Sequence, residues 1–290
     1  MLREEIPFGS WSLFAAILVV CVFGLADDVR HFGARAKFFG QLIAALIVVS
    51  GTSVHVMQLG DLFGFGTLFL DKWSYLVTVV ALIGLMNAVN MVDGIDGLAG
   101  SLVILPLTMF AILATTSGNS LLALEIWILV GAIAGFLSFN LRLPWRPRAY
   151  VFMGDVGSLM LGLLLGWYAI KMAGIDHAPL RPITAVWIVA LPLLDMGSVM
   201  LLRVLAGKSP FHADRGHTHH VLLDAGYSVT RVVTLLSAIS ILFGLIGLYG
   251  ELYDVPEYVM FYAFIVVLGC FVWALSRPAT LIAALRLDRD

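Results

Sequence analysis

Charged residues are scarce in this sequence. Asp, Glu, Lys and Arg make up 12% of the 290 residues, hydrophobic residues make up 61%, and the mean hydropathy is +0.99. A composition so poor in charge excludes an ordinary soluble domain and indicates a membrane protein. The net charge of −2 provides no positive field to attract nucleic acid, so we expect no nucleic-acid partner. Function must therefore depend on where the few charges lie.

Cysteine is nearly absent as well. Cys21 and Cys270 lie inside apolar runs, and two isolated thiols of this kind provide neither a disulfide framework nor a metal site. The first apolar run lacks a basic start and a small-residue cleavage site, and acidic residues follow it at once. We therefore interpret this run as a permanent span rather than a signal peptide.

Apolar runs of about 17–22 residues, long enough to cross a bilayer as helices, repeat along the whole chain. We predict an all-α bundle of about nine spans and no separate soluble domain, so that residues 1–290 form one integral-membrane domain. The predicted spans cover residues 11–27, 38–57, 73–90, 101–117, 122–141, 156–173, 183–204, 230–250 and 257–275.

Lysine and arginine are unevenly distributed over the connections between these spans. If the N-terminus is outside, thirteen of the seventeen basic residues fall on inner connections and four on outer ones. Basic residues in short loops accumulate on the cytoplasmic side of membranes. The bias therefore predicts an outer N-terminus and an inner C-terminus.

Two acidic motifs lie at inner ends of predicted spans. Asp27 and Asp28 are adjacent, at a membrane boundary where ionised groups are costly unless they have a function. Magnesium or a shared proton would relieve their repulsion. Asp93 and Asp96 lie three residues apart among glycines and amides, a spacing that lets both face one ligand on a helical turn. The structural alternatives are a solvated acidic pair and an ordinary polar turn.

A third acidic motif opens the sixth predicted span with Asp155, preceded by Asn140 and three arginines, Arg142, Arg146 and Arg148. Alone, Asp155 could be a helix N-cap. Together with the other inner carboxylates it indicates magnesium, which is commonly held by one or two carboxylates, waters and substrate phosphates.

A fourth motif contains four of the seven histidines within nine residues: His212, His217, His219 and His220, with Arg215 among them. A zinc site is one interpretation, but no cysteine is near and the available carboxylates are hard donors that suit magnesium. Imidazole and guanidinium groups can instead donate hydrogen bonds to a diphosphate. All four motifs fall on the predicted inner side, and together they indicate phosphoryl transfer between a soluble nucleotide and a lipid.

These motifs resemble those of the polyprenyl-phosphate N-acetylhexosamine-1-phosphate transferases, most closely the branch that uses GlcNAc and undecaprenyl phosphate. The matching elements are Asp27-Asp28, Asn-Met-Val-Asp-Gly-Ile-Asp-Gly at 90–97, Val-Phe-Met-Gly-Asp at 151–155, and Ser-Pro-Phe with His-x-His-His at 209–220. The resemblance covers essentially the whole chain. Members of that family begin with two further spans and a basic loop, so we expect this chain to be N-terminally short.

The resemblance implies that a polyprenyl phosphate oxygen attacks the β-phosphorus of a UDP-sugar and that UMP leaves. It implies Asp155 as the main Mg²⁺ ligand, with Mn²⁺ as a substitute, while Asp27 and Asp28 either bind the metal or position and deprotonate the lipid phosphate. The implied substrate-binding residues are Lys37, Asn90, Asp93, Asp96, Asn140, Arg215, His217, His219 and His220. It further implies a homodimer in the bacterial inner membrane that supplies envelope polysaccharides such as O-antigen.

Two other classes compete with this interpretation. A transporter would carry charges near the bilayer midplane, whereas the predicted span interiors are almost free of charge. A silent membrane scaffold or inactive fragment would fit the short N-terminus, and the retention of all four motifs argues against it.

Overall fold

The computed structural model describes residues 8–30, 33–174, 178–210 and 215–287. This part of the chain forms twelve α-helices and one short 3₁₀ helix, Asp71–Trp73, with only two isolated β-bridges outside them. The helices are α1 Phe8–Arg30, α2 Ala34–Gly51, α3 Ser74–Val92, α4 Leu98–Thr116, α5 Ser120–Asn140, α6 Gly154–Ala173, α7 Pro182–Ile188, α8 Ala190–Leu205, α9 Thr218–Asp224, α10 Val229–Leu252, α11 Glu257–Leu275 and α12 Pro278–Leu287.

The prediction of an all-α membrane bundle is confirmed, but the count of nine spans is not. Seven described helices are long and apolar enough to cross a membrane, and the bent pair α7 and α8 makes an eighth if it forms one broken span. The predicted span 38–57 corresponds to α2, which ends at Gly51 and is not among the seven. The orientation stays a prediction.

The predicted span 183–204 is broken, so the expectation of one continuous helix there was wrong. α7 ends at Ile188, α8 begins at Ala190, and the two are bent by 82°. Pro192 accounts for the position of the break, because a proline ring lacks an N–H and clashes with the carbonyl four residues earlier, here that of Ile188. The bend gives α8 a direction of its own.

Glycines allow α1 and α3 to approach α6 closely. A Cβ at Gly24 of α1 would lie 2.8 Å from the backbone of Val156, and one at Gly162 would lie 2.6 Å from the Cα of Met86 on α3. Such small residues let helix backbones come together in membranes, where packing rather than hydrophobicity drives helix association. This packing brings the C-terminal ends of α1 and α3 to the N-terminal end of α6.

Candidate active site

A single ammonium group joins two of the acidic motifs. Lys37, in the first turns of α2, places its Nζ 2.6 Å from Asp155 Oδ2 and 3.1 Å from Asp27 Oδ2. The three side chains are 13–21% exposed, so the charges are partly shielded from water and interact more strongly than on an open surface. Lys37 therefore offsets part of the negative charge that carboxylates from α1 and α6 bring together.

The second acidic motif reaches the same point through Asn90. Its Nδ2 donates to Asp155 Oδ1 at 2.6 Å and to Ser158 Oγ at 2.9 Å. Both carboxylate oxygens of Asp155 are thus engaged, one by Lys37 and one by Asn90. The side chain of Asp155 is held in one orientation by two neighbouring helices.

Asp28 contacts the backbone at the start of α6. Its Oδ1 accepts the N–H of Asp155 at 3.1 Å, and a Cβ at Gly154 would lie 2.9 Å from its Oδ2. Gly154 also has a φ of +67°, in the left-handed region that favours glycine. Glycine at this position is thus required both by the backbone and by the approach of Asp28.

Asp93 lies in the turn after α3 and faces other carboxylates. Burial, and then the negative charges of Asp155, Asp28 and Asp96, raise the pKa of Asp93 to about 7. A cation near these groups would lower their mutual repulsion. The cluster formed by Asp27, Asp28, Asp93 and Asp155 with Lys37, here called the carboxylate cluster, is therefore a favourable place for positive charge.

The histidine motif touches the second acidic motif. His219 on α9 packs directly on Gly94, where an added Cβ would lie 2.3 Å from Nε2 of the ring. The His219 ring stacks on His217 with centroids 5.9 Å apart and lies 4.2 Å from that of His220. The four sequence motifs thus meet at one end of the bundle.

The histidines of α9 have lowered pKa values. Burial and the neighbouring His220 lower the pKa of His219 to about 4, and burial also lowers the pKa of His220. His219 is therefore neutral at pH 7. Its Nε2 and the Nδ1 of His220 are buried and have no hydrogen-bond partner among the described residues.

The model of the family described as Glycosyl transferase family 4 matches residues 10–173, from α1 to the end of α6. This match covers more than half of the chain. It contains the four carboxylates and the lysine of the carboxylate cluster, and also Asn90. The chain belongs to glycosyl transferase family 4.

Individual relatives of this family 4 chain extend the match through the histidine motif. One from Haemophilus influenzae is 35% identical over 262 residues, which are 90% of this chain and 74% of the relative. One from Yersinia pestis is 34% identical over 276 residues (95% and 75%), and one from Escherichia coli K12 is 32% identical over 268 (92% and 73%). All three are named undecaprenyl-phosphate alpha-N-acetylglucosaminyl 1-phosphate transferase.

Three further residues that were predicted to bind substrate have protein partners outside the carboxylate cluster. The Oδ1 of Asn140 accepts the N–H of Gly97 at 2.9 Å and its Nδ2 donates to the carbonyl of Val151 at 2.8 Å. Asp96 accepts from Arg142 Nε at 2.7 Å. Asn140 thus supports the loops around the site, and Asp96 is part of an ion pair beside it.

The third is Arg215, whose Nη2 lies 3.0 Å from Asp224 Oδ1, with a side chain that is 68% exposed. Both side chains of this pair are exposed, and the structure does not bring Arg215 into the carboxylate cluster. His212 and the rest of residues 211–214, including the Phe of Ser-Pro-Phe, lie outside the described residues.

Sequence reasoning missed Asp195 on α8, a buried carboxylate that contacts His217 Nδ1 at 2.6 Å. It lies inside the predicted span 183–204, whose interior was expected to be almost free of charge. An acidic residue within an apolar run is itself an indication of function. Asp195 could have been predicted from the sequence on that ground. The pair of Gln41 and Asn87, joined by two hydrogen bonds of 2.8 and 3.3 Å beside the cluster, was also not among the predicted site residues.

Proposed function

We propose that this chain transfers GlcNAc-1-phosphate from UDP-GlcNAc to undecaprenyl phosphate, releasing UMP and forming a lipid-linked pyrophosphoryl sugar. The observation that carries the proposal is the meeting of Asp27, Asp155, Lys37 and Asn90 at one end of an apolar helical bundle. The names of the relatives support the choice of substrates. A site at the end of an apolar helical bundle can be reached by both a lipid and a soluble nucleotide.

The reaction needs positioning and charge neutralisation more than covalent participation by the protein. An oxygen of the lipid phosphate forms a bond to the β-phosphorus of UDP-GlcNAc, and the bond from that phosphorus to the UMP oxygen breaks. Lys37 provides a positive charge at the cluster, where phosphate oxygens gather. The neutral His219 and His220 supply hydrogen-bonding ring nitrogens on the side of Gly94.

The carboxylate cluster offers the oxygen donors that Mg²⁺ prefers. The described residues hold no ready group of three or more His, Cys, Asp or Glu side chains arranged around a metal. The oxygens of Asp155 with Asp27 or Asp28 suit a hard cation that is bound by one or two carboxylates and completed by water and substrate phosphate. When bound, the metal would neutralise charge on the reacting phosphates, and Mn²⁺ could replace it.

Asp27 and Asp28 differ in their surroundings, which separates their roles. Asp27 shares Lys37 with Asp155 and accepts the N–H of Gly33 at 3.1 Å. Asp28 faces the backbone of Gly154 and Asp155. We assign Asp28 to holding the start of α6, and Asp27 to the lipid phosphate, where it binds metal or takes the proton of a protonated acceptor.

The experiment that tests this function measures UMP release and lipid-linked sugar formation by the purified chain. The substrates are UDP-GlcNAc and undecaprenyl phosphate, with Mg²⁺ or with chelator. We expect turnover that requires Mg²⁺ and that falls at least about 100-fold in Asp155→Asn, because transition-state charge stabilisation of this kind contributes that much. UDP-GalNAc and UDP-glucose in parallel reactions define the sugar.

Arg148→Gln is the matched control, since Arg148 is an exposed charged residue of the loop before α6. Its turnover should equal that of the parent protein. Folded protein with no turnover on any of the UDP-sugars would refute the transferase and favour the silent scaffold. Uptake of an ion or solute into vesicles without sugar transfer would favour the transporter.

The remaining parts of the proposal concern location and assembly. We infer one integral-membrane domain in the bacterial inner membrane, with the carboxylate cluster on the cytoplasmic side, and a homodimer. Labelling of cysteines introduced one at a time at Trp145 and at Phe65, which are 80% and 95% exposed, in a variant whose Cys21 and Cys270 are replaced by Ala, checks the sidedness. Mass measurement in detergent or nanodiscs checks the dimer.

A further inference from the structure

Asp195 is a buried carboxylate that links α8 to the histidine motif. The residue is 3% exposed, and its Oδ2 lies 2.6 Å from His217 Nδ1. Its Oδ1 accepts from the backbone N–H of Thr218 at 2.8 Å and from the Thr218 hydroxyl at 2.6 Å. One side chain therefore holds three donors, all from the point where α9 begins.

This contact decides which nitrogen of His217 can meet a ligand. A carboxylate only accepts hydrogen bonds, so Nδ1 of His217 carries the proton and points at Asp195. The other ring nitrogen, Nε2, is then the one through which His217 can contact a substrate. Histidines at functional sites are commonly oriented in this way by an acceptor on the far nitrogen.

The same contact fixes the rest of α9. Thr218 is the first residue of this seven-residue helix, which is too short to be stable by its own hydrogen bonds. His219 and His220 follow directly, and His219 packs on Gly94. A further bond from α8, from Arg203 Nη1 to the carbonyl of Pro210 at 2.8 Å, holds the first residues of the motif.

We propose that Asp195 is a positioning residue for the transfer reaction. It fixes the ring orientation and the protonated nitrogen of His217, and through Thr218 it sets the place of His219 and His220 beside the carboxylate cluster. It does this without touching substrate. The kinetic part of the proposal rests on the proposed transferase function, whereas its structural part can be tested without turnover.

Asp195→Asn is the informative substitution. The amide oxygen can still accept from Thr218, so the start of α9 is kept. The amide nitrogen is a donor and opposes a protonated Nδ1 on His217, which favours the ring form that carries its proton on Nε2. The change thus alters the histidine while leaving the shape and volume of the buried side chain nearly the same.

The first measurement is the ¹⁵N NMR spectrum of histidine-labelled protein in detergent, with the His217 signals assigned by their loss in His217→Gln. We expect a protonated Nδ1 in the parent protein and a protonated Nε2 in Asp195→Asn. The same protonated nitrogen in both proteins would overturn the proposal. This result does not depend on activity.

The second measurement separates positioning from folding. In Asp195→Asn we expect kcat/KM for UDP-GlcNAc to fall about 10–100-fold, a range typical of residues that orient a functional histidine, with an unchanged melting temperature. The KM for undecaprenyl phosphate should stay within about twofold, since the lipid phosphate is assigned to Asp27 on α1 and not to the histidine motif. Adding Asp195→Asn to His217→Gln should have no further effect, because the two residues act as one unit.

Ser198→Ala is the matched control on the same helix. Ser198 is fully buried, and its hydroxyl has no hydrogen-bond partner within the described part of the chain. Its removal should leave turnover unchanged. The positioning role would be refuted if the parent protein is active and Asp195→Asn is equally active. It would also be refuted if the losses of activity in the two single variants multiply in the double variant. If the parent protein is inactive but shows the expected NMR change, the proposed function is refuted and the contact between Asp195 and His217 is established.

Discussion

Removal of the Lys37 ammonium is the perturbation whose effect the structure defines best. In Lys37→Met, the carboxylates of Asp27 and Asp155 lose the positive group that lies 3.1 and 2.6 Å away. Breaking a fully buried ion pair costs about 3–5 kcal/mol. Because these side chains are 13–21% exposed, water screens part of that cost, and about 2–3 kcal/mol is the reasonable figure.

This cost can be measured as a change of melting temperature. For a domain somewhat smaller than this one, each kcal/mol lost from the free energy of unfolding lowers the melting temperature by about 2–4 °C. Lys37→Met should therefore melt roughly 5–10 °C below the parent protein in chelator. Magnesium should recover much of this loss, since a divalent cation can replace the ammonium between the carboxylates. A cation at 100 times its dissociation constant stabilises by about 2.7 kcal/mol.

Arg35→Met is the matched control, because Arg35 lies on the same first turn of α2 and is exposed. It should change the midpoint by less than about 2 °C, as surface substitutions usually stay within 0.5 kcal/mol. Equal melting of the two variants in chelator would refute the bridging role of Lys37. A magnesium response no larger in Lys37→Met than in Arg35→Met would refute the cation-binding role of the cluster.

Other predictions concern the neighbouring backbone and the pH response. Gly154→Ala should lose most activity and about 1–3 kcal/mol of stability, since the new Cβ meets Asp28 and residue 154 has a left-handed backbone conformation. In the control Gly131→Ala, the new Cβ meets nothing within 4 Å. This control should be neutral in the same thermal and kinetic assays. Because the pKa of Asp93 is raised to about 7, its contribution to stability without metal is present at pH 4 and is lost as the pH rises through 7. Melting between pH 5 and 8 should therefore depend less on pH in Asp93→Asn, and an unchanged pH profile would contradict the assignment.

The sequence alone was sufficient for the class of fold and for selecting most residues of the candidate site. Hydropathy predicts helices because a bilayer leaves no other way to satisfy the backbone of an apolar run. Carboxylates at span ends stand out because ionised groups are rare in such a chain. For these reasons Asp27, Asp28, Asp93 and Asp155 could be selected before any contact was known.

Other properties of the site depend on which groups face one another. The sequence did not predict that Lys37 bridges Asp27 and Asp155. It also did not predict that the amide oxygen and nitrogen of Asn140 both bond to the backbone of neighbouring loops. His219 is neutral because α9 buries it, and burial is not visible in a histidine-rich motif. Pro192 was a local indication of the broken span, but the apolar run on both sides of it favoured one continuous span.

What the sequence determined by itself, then, was a helical membrane protein with acidic and histidine motifs of a sugar-phosphate transferase, because composition, periodicity and motif order are local properties. The tertiary structure alone decided which of those side chains meet. It placed one lysine between carboxylates of two helices, broke the predicted span between Ile188 and Ala190, and brought Asp195 of α8 to His217. Such contacts join residues far apart in the chain, and only the packing of the helices sets their distances and their shielding from water.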